Sequence, residues 1–282
     1  MKGLLPYTIN VGGKLMNLGE PQVMGILNVT PDSFYSASRK NTEQEIADRV
    51  EAILAEGGSM IDIGAYSSRP GADNISAEEE KSRLRDGLKI LRNIAPDAVV
   101  SVDTFRADVA KMCVEEYGVQ IINDISGGEL DSQMFETVAA LGVPYILMHM
   151  KGNPQTMQVE PHYDDLLTEV LQYFGRKVQQ LHELGVKDVI LDPGFGFAKT
   201  LDHNYELMNR MEELKVLELP MLVGISRKSM IYRLLGGTPE SALNGTSVLN
   251  TLALLKGASI FRVHDVKEAV EVVQIVKKML SC

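Results

Sequence analysis

The chain has 282 residues, 45% of them hydrophobic, and a formal net charge of −10 at pH 7. That length suits two small domains or one large α/β barrel, a fold that takes about 250 residues, and the apolar content supplies a sizeable core. With no Lys/Arg-rich block, the acidic balance argues against nucleic-acid or anionic-membrane partners, so any phosphate must be held by a local cluster of cations.

The N-terminal MKGLLPYTIN carries one Lys and no long apolar segment, and no run of about 18 apolar residues occurs. The expectation is a soluble cytosolic protein. Cys113 and Cys282 make a poor disulfide or metal framework, and Cys113 falls in a helical pattern that points to the core. Residues 7–18 are two strand-like runs around Gly12-Gly13, a hairpin signal, expected to cover one end of the fold.

The rest of the chain is organised around the stretch Met24–Ser36. Val23 to Leu27 reads as a buried strand that stops in Asn28 and then in Thr30-Pro31-Asp32-Ser33, where Pro31 forbids much continuation. Thr42-x-x-Glu45 reads as a capping box opening a helix through Ile46, Val50, Ile53 and Leu54, ended by Gly57-Gly58. Met60–Ile63 is the second run and contains Asp62. A polar loop from Gly64 to Gly71 and a second capping box, Ser76-x-x-Glu79, come next. Val99–Val102 ends in Asp103-Thr104, Val119–Ile122 in Asn123-Asp124, and Pro144–Met148 in His149. Residues 151–163 are irregular, and a long helix is expected near Asp165–Leu184. Val189–Leu191 ends in Asp192-Pro193-Gly194, with a helix near Tyr205–Leu214. Met221–Gly224 leads to Ser226-Arg227-Lys228, and Ser259–Val263 carries Arg262 and precedes His264. The last helix sets Val266, Val270, Val273 and Val276 on one face.

Eight apolar runs, each followed by a helical pattern, predict parallel strands with crossover helices closed into a (β/α)8 barrel. The organisation expected is one domain over 1–282, with a hairpin in 1–22 and the barrel in 23–282. The turn after the first run, Asn28-Val29-Thr30-Pro31-Asp32, is not the Gly-rich turn of an open dinucleotide-binding sheet.

Active sites of such barrels lie at the carboxyl ends of the strands. Asn28, Asp62, Asp103, Asn123, His149, Asp192, Lys228, Arg262 and His264 all fall there. A lone Asp at such a place caps a helix or turns a loop, but so many polar strand ends together favour a site. Two poles separate. Ser226, Arg227, Lys228, Arg262 and His264 suit a phosphate or pyrophosphate, and the Asn28 amide oxygen suits Mg2+ held against phosphate oxygens. For Arg262 the bland alternative is an ion pair with Asp265 or a neighbouring acid. Asp103, Asn123 and Asp192 suit a flat ligand edge rich in N–H donors, with Met148 and Ile125 as an apolar floor. No second His lies near these acids to support zinc.

The motifs MGILNVTPDSF, DIGAYSSRPGA, SVDT, NDISGG, LMHMKGNPQTMQ, DPGFGFAKTLDHN, GISRKS and FRVHD, in this order, resemble dihydropteroate synthase from about residue 8 to the last helix. The resemblance implies the same barrel. It implies condensation of 6-hydroxymethyl-7,8-dihydropterin pyrophosphate with para-aminobenzoate, giving 7,8-dihydropteroate and pyrophosphate on the folate pathway. It implies that Asp103, Lys228, Arg69 and Asp62 carry the chemistry. Asp103, Asn123, Asp192, Lys228 and Met148 would hold the pterin, and Asn28, Arg262, His264 and Ser226 the pyrophosphate, with Mg2+ on Asn28. Ser68, Arg69, Pro70, Phe34 and Phe197 would frame para-aminobenzoate. A homodimer through late helices is implied, with neither nucleic acid nor membrane as partner. The loop departs from the family's usual DIGGESTRPGA at Ala65, Tyr66 and Ser68, which bears on para-aminobenzoate and sulfonamide affinity. A methyltetrahydrofolate-dependent methyltransferase barrel would share the pterin pole without needing the Ser-Ser-Arg-Pro loop or the anion cluster. A non-catalytic pterin-binding protein would be expected to have lost Asn28, Asp103, Arg69 or Lys228.

Overall fold

A computed structural model of the chain describes residues 7–29, 39–66, 75–152 and 161–282. Among them the chain opens with a hairpin, β1 (Thr8–Val11) and β2 (Lys14–Asn17), antiparallel with Val11 opposite Lys14. Its turn is Gly12-Gly13, both at positive φ, which L side chains adopt only with strain.

The barrel strands are β3 (Gln22–Asn28), β4 (Met60–Gly64), β5 (Val99–Asp103), β6 (Ile121–Asp124), β7 (Tyr145–Met148), β8 (Val189–Asp192), β9 (Met221–Val223) and β10 (Ala258–Val263). They are parallel and close in sequence order, β10 pairing with β3 through Arg262 and Met24. The helices are α1 (Arg39–Ala55), α2 (Ala77–Ile94), α3 (Ala107–Tyr117), α4 (Met134–Leu141), α5 (Leu166–Glu183), α6 (Leu201–Arg210), α7 (Ser229–Leu235), α8 (Leu243–Leu255) and α9 (Val266–Leu280). The eight expected runs are the eight barrel strands among the described residues.

Side chains alternate along a strand, so each strand feeds two cores. Outward residues such as Val23, Leu27, Ile61, Ile63, Val100 and Val102 join the helix stripes in the larger cluster. Inward residues Met24, Met60, Ile121, Ile146, Ile190, Leu222 and Ile260 form a separate apolar plug with Ile9, Val11 and Leu18 from the hairpin. The hairpin thus seals the amino-terminal end of the barrel, as its pattern predicted.

The expectations on α1, α2 and α9 need correction. Thr42 does not cap α1, because the helix already runs from Arg39. Ser76 does cap α2, its hydroxyl accepting from Glu79 N at 3.1 Å, but the Glu79 carboxylate turns to Arg83 Nε at 2.9 Å instead of back to the cap. On α9 the buried stripe is Val266, Ala269, Val272 and Val276, with Val270 and Val273 only partly covered. The long helix lies where expected, with Asp165 as its cap, and Cys113 is buried on α3. Thr30–Ser36, residues 67–74 and residues 153–160 lie outside the described residues, and with them the expectations on Phe34, Ser68, Arg69 and Pro70.

Candidate active site

One step up from the plug, two residues along each strand, the inward positions change character. Met24 gives way to Ile26, Met60 to Asp62, Ile121 to Asn123, Ile146 to Met148, Ile190 to Asp192 and Ile260 to Arg262, while β5 places Ser101 and then Asp103 there. A strand period of two therefore converts the alternation of the sequence into a buried apolar end and a polar mouth.

Arg262 is the hub of that mouth. Its Nε lies 2.5 Å from Asp62 Oδ2 and its Nη2 lies 2.7 Å from Asp103 Oδ2. Asn123 Nδ2 donates to the same Asp62 oxygen at 3.1 Å. Burial works against the guanidinium charge, but Asp62 and Asp103 outweigh it and the pKa of Arg262 rises. Burial, resisted by Arg262 and reinforced by Asp62, pushes the Asp103 carboxyl up to about 7. The two poles read from the sequence therefore meet at this residue, which sits among the acids. The layer is also under-satisfied: Asp62 Oδ1 and the register-paired Ser101 Oγ are buried without a hydrogen-bond partner among the described residues. Such a surface favours a ligand that brings polar hydrogens.

The loop after β8 shapes the opposite side. Asp192 Oδ1 accepts from Gly194 N at 2.8 Å. Gly194 has φ +71°, and a Cβ there would stand 2.0 Å from the His149 carbonyl oxygen, so only glycine fits this close approach. Burial raises the pKa of Asp192 against the pull of Lys228. Lys228 Nζ donates to the Phe195 carbonyl and lies 4.6 Å from the centre of the Phe197 ring. Burial draws it down to about 8, although Asp192 opposes this.

His149 is not part of the mouth. Met148 faces inward, so the next residue faces out, and the His149 ring packs among Tyr163, Tyr173 and Phe174. Burial holds its pKa well below the usual histidine value. Its neighbour was missed in the sequence. Lys199, buried, donates to the carbonyls of Gly194 at 3.0 Å and Phe197 at 3.1 Å and lies 3.1 Å from His149 Nδ1. Burial lowers its pKa to about 7. A lone Lys two residues after the Gly-rich Asp192–Phe197 loop was the available signal.

Arg227 also leaves the anion cluster. At φ +53° it turns out of the mouth, binding both oxygens of Asp265 at 2.8 Å and the carbonyls of Pro239 and Glu240. Asp265 is thereby engaged by Arg227 and is not the partner of Arg262. Ser226 Oγ accepts from His264 N at 3.1 Å and so fixes the end of β10. Asn28 ends β3 beside β10, exposed, and its side chain makes no hydrogen bond among the described residues. No group of three or more His, Cys, Asp or Glu among the described residues forms a metal cage. One unengaged amide oxygen beside a cationic strand end fits a hard cation held mainly by a ligand's phosphates and by water.

Ile125, Met148, Met150 and Ala198 form an apolar wall with Phe105 and Phe197. This contains the expected floor and adds Phe105, whose ring meets Tyr66 edge-on at 5.0 Å under the Arg106 guanidinium.

The family model "pterin binding enzyme" matches residues 24–264. A dihydropteroate synthase of Escherichia coli (strain K12) is 41% identical over 273 residues, covering 95% of each chain. The crystal structure of the Yersinia pestis dihydropteroate synthase with a sulfonamide drug complex is 40% identical, with a TM-score of 0.88 over 98% of this chain and 100% of that one. That of the Xanthomonas albilineans enzyme with 4-aminobenzoic acid is 32% identical, with a TM-score of 0.88 over 99% and 100%.

Proposed function

The chain belongs to the dihydropteroate synthases, a family of pterin-binding enzymes, and from that membership we propose how its barrel mouth performs their reaction. It is a transferase of folate synthesis acting on 6-hydroxymethyl-7,8-dihydropterin pyrophosphate and para-aminobenzoate. The bond between the pterin methylene carbon and the pyrophosphate oxygen breaks, the arylamine nitrogen bonds to that carbon, and the amine gives up a proton. The products are 7,8-dihydropteroate and pyrophosphate.

The observation that carries this reading is the polar layer of Asp62, Asp103 and Asn123 around Arg262, in which Asp62 Oδ1 and the neighbouring Ser101 Oγ are buried without a partner among the described residues, with Asp192 and Lys228 nearby. Carboxylates and an amide in a water-poor mouth suit the polar edge of a pterin, because a ring N–H can satisfy the bare Asp62 oxygen that the protein leaves unpaired. Met148 supplies an apolar face for the ring. Asp103 offsets positive charge that develops on the pterin as the C–O bond lengthens, and Arg262 lies beside it to stabilise the departing anion. His264, Ser226 and Asn28 complete the pyrophosphate side. Mg2+ is the metal assigned to Asn28; when bound, it neutralises phosphate oxygens and so eases departure of the leaving group. Phe197, with Phe34, Ser68, Arg69 and Pro70, frames para-aminobenzoate. The unit is one domain, working in the cytosol as a homodimer; among the described residues no helix is long and apolar enough to cross a membrane.

Incubation with the pterin pyrophosphate, para-aminobenzoate and Mg2+ tests the reading. Wild type is expected to release pyrophosphate only when para-aminobenzoate is present. Lys228→Ala, which removes a positioned, half-buried cation, should lose about 10²- to 10³-fold in rate. Folded wild-type protein that shows no para-aminobenzoate-dependent release would sink it.

A further inference from the structure

A cavity of about 370 Å³ opens beside the seam where the first barrel strand meets the last. Asn28 and His264 line it from the strand ends, Ile26 and Ile46 form its apolar wall, and α1 contributes Glu45 and Arg49. Arg49 belongs to none of the motifs that mark the mouth. Its place on the helix explains its reach. Ile46, Val50 and Ile53 form the buried stripe of α1, and Arg49 flanks that stripe, half-buried.

The guanidinium makes two bonds that span the seam. Nε donates to the Ile26 carbonyl at 3.1 Å and Nη2 donates to the His264 carbonyl at 2.7 Å. Ile26 lies two residues before Asn28 on β3, and the second carbonyl is that of His264 itself. One planar group therefore ties the strand that carries Asn28 to the His264 backbone across the seam of these two neighbouring strands. Nη1 makes no hydrogen bond among the described residues.

We propose that Arg49 is an anion-binding and positioning residue of this site: it holds Asn28 and His264 at fixed separation and presents its remaining donors to the outer phosphate of the pyrophosphate group. This rests on the function proposed above.

The surrounding charges are consistent with that role. Arginine stays protonated throughout the working range. Of the acids that face it, Asp265 has both oxygens taken by Arg227, and Glu56 lies just past the end of α1, outside the cavity lining. Glu45, one turn before Arg49 on the same helix face, is exposed to water at the rim, where solvent screens its repulsion. An exposed cavity wall in a chain of net charge −10 needs such a local cation to hold a polyanion.

The test separates anion binding from a purely structural latch. Dissociation constants for inorganic pyrophosphate at fixed Mg2+, and for 6-hydroxymethylpterin lacking phosphate, are measured for wild type, Arg49→Lys and Arg49→Met. Arg49→Met should weaken pyrophosphate binding about 10- to 100-fold, the loss of a charge-assisted contact, and leave the pterin constant within about twofold. Arg49→Lys should recover part of the loss. If Arg49→Met does not fold, Arg49→Gln, which keeps a donor for one carbonyl, replaces it with the same expectations. Unchanged pyrophosphate affinity, or equal weakening of both ligands, overturns the proposal. Turnover by the wild type is read alongside. If wild type turns over and Arg49→Met keeps its pyrophosphate affinity, the role of Arg49 fails alone. If wild type does not turn over, it is the proposed function that fails.

Discussion

Asp103 and Lys228 carry opposite charges over ranges that barely overlap. Burial brings the carboxyl up to about 7 and the ammonium down to about 8. Asp103 offers a charged, acceptor-only carboxylate to the pterin only when ionised, so binding strengthens as pH rises through about 7. Lys228 donates a charged hydrogen bond only when protonated, so binding weakens as pH rises through about 8. The expected kcat/KM for the pterin pyrophosphate is a narrow bell between those values, since this ratio reports the free enzyme. Lys228→Arg should carry the alkaline limb beyond pH 10 and leave the acid limb in place. An acid limb near 4, the range of an ordinary carboxylate, would show that burial does not govern Asp103. At this scale residue identities were legible and side-chain directions were less so. Asp62, Asn123 and Asp192 follow from strand ends alone. His149 needed the further step of counting parity from Met148, and Arg227 needed a left-handed backbone that no non-glycine residue announces. Arg262 is long enough to serve either pole, and only the geometry shows that Asp62 and Asp103 hold it.

The hairpin is the element whose role reads most directly. Alternation in residues 8–17 sends Ile9 and Val11 to one face, and that face with Leu18 closes the apolar end of the barrel. Leu18 is fully buried there, at the opposite end of the strands from Asp103. Leu18→Ala should leave a cavity and cost about 2–5 kcal/mol, seen as a lower urea midpoint, while KM for both substrates stays within about twofold. A large rise in KM with unchanged stability would mean the plug is coupled to the mouth in a way the layers do not suggest. Strands and long helices were legible because their periods run over many residues. Helix starts were not, because a cap is a single local choice. The box at Thr42 lies inside α1. The start of α6 was expected near Tyr205, yet Thr200 caps it with His203 in the place usually taken by Glu or Gln.

At the scale of the whole molecule, the exposed apolar residues gather late in the chain. Val248, Leu252 and Leu255 sit at i, i+4 and i+7 on α8, and Ile275 and Met279 repeat the spacing on α9, which packs against it. Leu234 and Leu235 are exposed on α7, another neighbour of α8. Stripes of this kind on adjacent helices are costly in water unless covered, and the homodimer proposed above would cover them with a second copy. The two copies would each carry −10. At about 0.01 M salt the screening length is roughly 30 Å and the whole charge of one copy is felt by the other; at about 0.15 M it is roughly 8 Å. Apolar association is not weakened by that change, while the repulsion is largely removed. Sedimentation equilibrium should therefore give a dimer whose dissociation constant falls as salt rises, the opposite of an interface held by ion pairs. Leu252→Glu, which puts a charge in the middle of the stripe on a surface already open to water, should yield a folded monomer at micromolar concentration. A wild type that is monomeric at every concentration and salt would remove the dimer, and a dimer that loosens with salt would move it to a charged face elsewhere.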